Sequence, residues 1–136
     1  MAHLLGPFPV EFGAVFPSGA YAAGPVEKVR DFEKSKGDRV VQQADKVTGL
    51  PLWVIEVIDG DPAARVRAVK VKVAAQVQPV IPAGQPGSPF VPVEFTGLTV
   101  TYYVHQAGRL AYSLKATGIR APSRGRPGQD VREAAA

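Results

Sequence analysis

The alternation of hydrophobic and polar residues is clearest over residues 69–78. Successive side chains of a strand point to opposite faces, so a period of two predicts a strand that buries one face. The apolar positions are the odd-numbered ones: Val69, Val71, Val73, Ala75 and Val77. The polar face carries Lys70 and Lys72, so this strand presents two cations away from the core.

A second alternating pattern surrounds a turn signal at residues 105–109. Its apolar positions all have even numbers: Leu98, Val100, Tyr102, Val104, Leu110, Tyr112, Leu114 and Ala116. They predict a hairpin whose buried face consists of Leu, Val and Tyr side chains. Tyr103 falls on the polar face of the first strand, and Lys115 falls on the polar face of the second.

Residues 39–47 and 52–58 predict another hairpin, joined by the turn signal Thr48-Gly49-Leu50-Pro51. The second of these runs is apolar on both faces except at Glu56, which is typical of a central strand. Trp53 lies in this run, where packing in the core is favoured over stacking on a ligand.

Segments rich in proline and glycine separate or flank these strands. Residues 1–25 predict an extended arm, with a turn at Phe16-Pro17-Ser18-Gly19, that lays aromatic rings on the core. The prolines and glycines of residues 79–92 predict a long flexible loop. Residues 121–136 predict a flexible tail.

These elements predict an all-β domain over residues 26–120. Five strands with an insertion between the third and the fourth are the layout of a small five-stranded Greek-key barrel of the OB-fold type. A β-sandwich and an open meander fit the same strand count, and both remain open alternatives.

The composition narrows the chemistry open to a chain of 136 residues. Hydrophobic residues make up 46% and charged residues 21%, as in soluble globular domains. The absence of cysteine and the presence of only two histidines exclude disulfides, thiolate-bound metals and histidine-rich metal sites, so we expect no cofactor. The sequence has neither a phosphate-binding glycine loop nor a serine nucleophile elbow, and we expect no enzyme. It also has no secretory signal pattern and no long apolar run, so we expect a cytoplasmic protein that does not enter the membrane.

The formal net charge of +4 is unevenly distributed along the chain. Residues 1–60 carry a net charge of −2, whereas residues 61–136 carry +6. This asymmetry predicts a basic surface built by the second half of the chain. A solvated face followed by a basic tail is the alternative.

Proteins that bind single-stranded nucleic acid combine cations for the phosphates with aromatic rings on which bases stack. Residues of both types on or beside the predicted strands are the candidate DNA-binding residues: Arg65, Arg67, Lys70, Lys72, Tyr103, Lys115 and Trp53. Tyr103 is the best stacking candidate among them, because it is a lone aromatic residue on an otherwise polar strand face.

Four long segments resemble the actinobacterial plasmid family of replication, integration and excision activators. They are VRDFEKSKGDRVVQQADKVTGLPLWVIEVIDGDP, VKVAAQVQPV, PVEFTGLTVTYYV and AYSLKATGIRAP, and the resemblance covers most of residues 5–122. It implies a regulator of replication and excision genes on a mobile element, and it brings no site residues with it. More loosely, the turn Lys46-Val47-Thr48-Gly49-Leu50-Pro51 is similar to one in small phage and plasmid single-stranded DNA-binding proteins, which are OB-folds.

The sequence thus predicts a single-stranded DNA-binding protein without sequence specificity, encoded by a mobile element and serving plasmid replication or conjugal transfer. Two alternatives remain: a transcriptional activator acting on duplex DNA or through a protein partner, and an interaction module that binds no nucleic acid. Exposed edge strands lead us to expect a homo-oligomer, a dimer or a tetramer.

Overall fold

The structure is a computed structural model, and it describes residues 5–31, 35, 41–84 and 87–122. Within these residues the protein is all-β, as predicted, with a single helical turn, α1 (Phe12–Val15). Its strands are β1 (Phe8–Pro9), β2 (Ala20–Ala22), β3 (Glu27–Lys28), β4 (Leu52–Asp59), β5 (Ala68–Ala74), β6 (Val91–Thr96), β7 (Thr99–Val104), β8 (Leu110–Ala116) and β9 (Gly118–Arg120).

The strands form a curled, open sheet in the order β1-β7-β8-β5-β4-β2-β6-β9, with β3 pairing beside β2 on the same edge of β4. All the pairs are antiparallel except β5 with β8, which run parallel. The described residues therefore contain nine strands where the sequence pattern predicts five.

The four strands that carry the strongest patterns, β4, β5, β7 and β8, lie where they were predicted. β5 ends at Ala74, before the predicted end of its pattern, and Val77 is 75% exposed. The strand predicted over 39–47 is not regular in its described part. There Gln42 and Ala44 form only isolated bridges.

Strand β6 lies partly inside the segment that we predicted to be a loop over residues 79–92. Its buried side chains, Val93 and Phe95, do alternate, but Pro92 obscures the pattern. β9 pairs with β6 only from Glu94 onward, so β6 is an edge near Pro92, and proline is tolerated at an edge.

The segment predicted as an arm contributes an interior strand. β2 pairs with β4 on one side and with β6 on the other, so the predicted domain boundary at residue 26 falls within the sheet. The predicted turn is confirmed, since the Gly19 N–H donates to the Phe16 carbonyl over 2.9 Å with Gly19 at φ 85°. Phe16 itself is buried, as expected of a ring laid on the core.

The core lies on the concave side of the curled sheet. It is lined by the odd-numbered side chains of β4 and β5 and by the even-numbered side chains near the base of β7 and β8. Val57, Val71 and Val73 are fully buried. Each such side chain contributes about 1.5–3 kcal/mol by leaving water.

The distal half of the β7–β8 hairpin differs from its prediction. β5 pairs with β8 only from Leu114 to Ala116, so the hairpin extends beyond the sheet. Side chains of the predicted buried face are consequently exposed there: Tyr102 (38%), Val104 (67%), Leu110 (68%) and Tyr112 (54%). The parity was right, but the prediction that these residues are buried was wrong, because no second layer reaches them within the described residues.

Two further expectations fall partly outside the described residues. In the region between β5 and β6 the described residues form no strand or helix, while residues 85–86 lie outside the description. Of the predicted tail, residues 123–136 also lie outside it. No helix among the described residues is long and apolar enough to cross a membrane.

Candidate nucleic-acid interface

The strand registers bring four of the sequence-predicted residues onto one surface, the convex side of the sheet opposite the core. Lys72 pairs with Lys115 across β5 and β8, and Lys70 precedes Lys72 by two residues on the same face of β5. Lys115 in turn pairs with Thr99 of β7, whose face also carries Tyr103. We call this surface the outer face.

The outer face has a cationic end and an aromatic end. Lys72 and Lys115 lie on neighbouring strands, which are about 4.8 Å apart in a sheet. Tyr103 lies four residues beyond Thr99, about 13 Å farther along β7 at the usual rise per residue. Polar Thr101 and Ser113 pair between the two ends.

An ion pair already engages Lys115. Its Nζ donates to Oδ1 of Asp45 over 2.5 Å, and Asp45 is only 6% exposed. The other carboxylate oxygen accepts from the Thr48 hydroxyl (2.8 Å) and from the Thr48 N–H (3.2 Å). Burial raises the pKa of Asp45, but the hydrogen bonds from Lys115 and Thr48 and the charge of Lys115 outweigh it, so the pKa lies below its ordinary value. Lys115 therefore adds less positive potential to the outer face than its sequence position suggested.

Lys70 has an acidic neighbour as well. It stands directly opposite Glu56 in the β4–β5 register, and both side chains are exposed. Opposite charges in such cross-strand pairs attract weakly, by a few tenths of a kcal/mol up to about 1 kcal/mol. Lys72 faces Val54 on β4, and it forms no ion pair with any described residue. Lys72 is thus the least compensated cation of the outer face.

Arg65 and Arg67 do not extend the row of lysines. Both lie in the segment before β5, where Arg67 donates from Nη2 to the backbone carbonyl of Asp59 over 3.3 Å. Their odd numbers put them in phase with Val69, not with Lys70. They flank the end of the sheet as exposed cations.

Trp53 is a core residue and is not available for binding. It is 7% exposed, and its indole N–H donates to the carbonyl of Ala75 over 2.9 Å. Odd-numbered positions of β4 point into the core, so the ring is not accessible to a base. The interpretation favoured for Trp53, packing in the core, is confirmed.

Tyr103 is 43% exposed on the outer face, but it is not the only accessible ring of the hairpin. Sequence reasoning missed Tyr102, Tyr112 and Phe8, which lie on the opposite face and are also exposed. One signal could have identified the two tyrosines: they lie close to the polar turn, at the end of the hairpin farthest from the apolar residues of other strands.

His105 belongs to the hairpin turn. Its backbone N–H donates to the Arg109 carbonyl (2.7 Å), and its imidazole Nδ1 accepts from the Ala107 backbone N–H (3.2 Å). Gly108 adopts φ 82°, a conformation that favours glycine. These contacts explain the residue types of the turn without a chemical role for the imidazole.

Two concave regions adjoin the sheet. A cleft of about 470 Å³ beside Lys115 is lined mainly by apolar groups, including Val47 and Ala75. A larger groove of about 990 Å³ lies between α1 and β6, over Phe12 and Phe95. Among the described residues no three His, Asp or Glu side chains form a metal-binding cluster.

No family model, no curated protein and no solved structure matches the chain. The resemblance to plasmid replication and excision activators therefore stays a prediction from the sequence.

Proposed function

We propose that this protein binds single-stranded DNA without sequence specificity and serves the replication or transfer of a mobile genetic element. The observation that supports this best is the outer face, where Lys70 and Lys72 share a surface with the exposed ring of Tyr103. Ammonium groups contact phosphates, and the ring offers a base a face on which to stack.

The charge distribution of the sheet supports the same function. Between residues 62 and 122 the only carboxylate is Glu94, and Arg120 donates to it from Nε (3.0 Å) and Nη2 (2.8 Å). The same stretch contains seven basic residues: Arg65, Arg67, Lys70, Lys72, Arg109, Lys115 and Arg120. A polyanion therefore meets little repulsion along β7 and β8, whereas Glu56 of β4 stands beside Lys70 on β5.

The strand order supports an OB-type barrel as the underlying fold. In the order β7-β8-β5-β4, the second strand of the hairpin lies beside β5, so β8 and β5 are neighbours in space although β6 and β7 lie between them in the sequence. Greek-key barrels of this type bind oligonucleotides over the face of their second and third strands. β4 and β5 correspond to the second and third of the five strands predicted from the sequence, and β5 carries the two lysines.

We further propose that the protein acts as a homo-oligomer in the cytoplasm. β1 and β9 end the sheet, and each offers one unpaired edge among the described residues. Unpaired edges favour association with another strand, which is the physical reason to expect a dimer or a tetramer.

One observation favours the second candidate, an activator that acts on duplex DNA. The β7–β8 hairpin projects beyond the sheet, and its outer face carries Thr101, Tyr103 and Ser113. The major groove admits a two-stranded ribbon, and hydroxyl side chains can contact base edges there.

Fluorescence anisotropy with labelled oligo-dT and with a duplex of equal length, each at two salt concentrations, distinguishes the candidates. We expect tighter binding to oligo-dT and a strong salt dependence, because phosphate contacts release counterions. Lys72→Glu should weaken binding several-fold. It should also lower the slope of log K against log salt concentration by about one, the contribution of one phosphate contact. Lys28→Glu is the matched control, since it changes the charge equally at an exposed site on β3 away from the outer face.

The other outcomes contradict the proposal in distinct ways. Tighter binding to the duplex would favour the activator. Equal losses in the two variants would mean that net charge alone drives binding, and no binding to either DNA would leave an interaction module.

A further inference from the structure

Three aromatic rings form a row on the concave-side face of the projecting hairpin. Phe8 of β1 pairs with Val100, and Tyr102 pairs directly with Tyr112 across β7 and β8. The ring centroids of Phe8 and Tyr102 are 6.3 Å apart, and those of Tyr102 and Tyr112 are 6.4 Å apart. We call Phe8, Tyr102 and Tyr112 the aromatic row.

The aromatic row is accessible along its whole length. Phe8 is 39% exposed, Tyr102 38% and Tyr112 54%. The planes of neighbouring rings are inclined by 53° and 59°, so the rings do not cover each other's faces as stacked rings would. Three neighbouring exposed rings are a common feature of interaction sites.

The surrounding charges indicate what this site binds. Residues 97–122 contain Arg109, Lys115 and Arg120 and no carboxylate. Arg109 is exposed at the end of the hairpin turn, three residues before Tyr112. Lys115 and Arg120 already form ion pairs with Asp45 and Glu94. Exposed aromatic faces in a hairpin that carries Arg109 at its turn and no acidic group are complementary to unpaired bases on a phosphate backbone.

We propose that the aromatic row is a second base-stacking site for single-stranded DNA, on the opposite face of the hairpin from Tyr103. This inference rests on the proposed function and extends it. Tyr112, the most exposed ring of the row, contributes most to stacking.

The shape of the hairpin explains how one DNA strand reaches both faces. Tyr102 and Tyr103 are adjacent in β7 and so point to opposite sides. Among the described residues, the part of β8 before Leu114 pairs with β7 alone, which leaves one side of the ribbon open. A flexible single strand wraps around this open side and places bases on both faces. A stiff duplex cannot do so, and the arrangement therefore selects single-stranded DNA.

The test compares three variants in the oligo-dT anisotropy assay, with thermal melting as a check of folding. Tyr112→Ala should weaken binding by about five-fold or more, the effect of losing one stacked base. Tyr112→Phe keeps the ring and should retain most of the affinity. Leu110→Ala removes an even more exposed apolar side chain of the same hairpin and should leave binding unchanged.

A second measurement locates the contact directly. Oligo-dT carrying 5-bromodeoxyuridine is photo-crosslinked to the wild-type protein, and the modified peptides are mapped by mass spectrometry. Crosslinks at Tyr102 or Tyr112 as well as at Tyr103 are expected. Crosslinks confined to Tyr103 would overturn the second site.

The results separate this inference from the proposed function. If Tyr112→Ala binds like wild type while Lys72→Glu is weakened, the aromatic row is not a DNA site although the outer face is. If wild type does not bind oligo-dT, both proposals fail. If Tyr112→Ala and Leu110→Ala spare DNA binding but change the sedimentation coefficient, the row instead contacts a second copy of the chain.

Discussion

Replacing Asp45 by Asn tests the ion pair that joins the segment before β4 to β8. The Asn amide oxygen can still accept from Thr48, but its NH₂ group then faces the ammonium of Lys115, and two donors oppose each other. The variant therefore loses one charge-assisted hydrogen bond, which contributes about 1.5–3 kcal/mol. Lys115 is 28% exposed and can turn toward water, so we expect a loss near or below the lower end of that range, about 1–2 kcal/mol at pH 7.

Urea unfolding followed by the fluorescence of Trp53 measures this loss, because the buried indole becomes solvated when the chain unfolds. Thermal melting should show a decrease of about 3–8 °C. A double-mutant cycle with Lys115→Gln isolates the pair. If Asp45→Asn is equally destabilising in the Lys115→Gln background, the ion pair is not the source of the effect.

The stability that the Asp45 carboxylate contributes should be lost in acid. The folded chain holds the pKa of Asp45 below its ordinary value of 3.8, so the unfolded chain takes up the proton more readily. The stability from this carboxylate is complete above that value and is lost as the pH falls through the lower folded pKa. The stability difference between wild type and Asp45→Asn should therefore shrink toward zero in strong acid. A difference that persists there would refute the electrostatic explanation.

The Asp45→Asn variant also bears on DNA binding. Removing the carboxylate releases the ammonium of Lys115 to the outer face beside Lys72. If the proposed function is correct, the affinity for oligo-dT should rise a few-fold at low salt although the protein is less stable. A decrease in affinity would indicate that Lys115 does not face the DNA.

Four further substitutions check the fold, the first three by urea unfolding. Tyr102→Ala should lower the free energy of unfolding by only about 1–2 kcal/mol, because the ring is 38% exposed. Removing a fully buried aromatic side chain costs roughly 3–5 kcal/mol. A loss of that size would mean that another part of the protein covers the hairpin. Gly60→Ala should be strongly destabilising, since the added Cβ would lie 2.2 Å from the Ser18 backbone oxygen. Gly13→Ala is the control: a Cβ added at this position in α1 meets no other group within 4 Å, and the variant should be neutral or stabilising by up to about 1 kcal/mol. Similar stabilities of the two variants would contradict the packing of β2 against β4. Val71→Asp should prevent folding or remove about 4 kcal/mol or more, as judged by circular dichroism, because it places a charge at a fully buried position.

Local patterns predicted the parts of the fold that depend on local information. Period-two alternation located β5, β7 and β8 because each strand buries one face against the same core, and the run around Ile55 located β4 because it is nearly all apolar. The alternation also assigned Lys72 and Tyr103 to a common outer face, as the registers show.

The errors arose where neighbours distant in sequence decide the outcome. Alternation gives the parity of a side chain but not the extent of the layer that covers it, and so Tyr102 and Tyr112 were assigned to the core. β2 is only three residues long, and its interior position depends on β4 and β6. The ion pair of Lys115 with Asp45 spans 70 positions in the sequence, and no local pattern reveals it.

The position of β2 between β4 and β6 has a consequence for the order of folding. β6 and β9 reach the rest of the sheet through Ala20–Ala22, a segment synthesised long before them. The end of β2 and the start of β6 are separated by 68 residues, so the pairing of β6 with these early residues closes a long loop. The parallel pairing of β5 with β8 requires a second distant closure. Non-local pairing of this kind slows folding, so refolding from denaturant should occur in milliseconds to seconds, as for other all-β domains of high contact order.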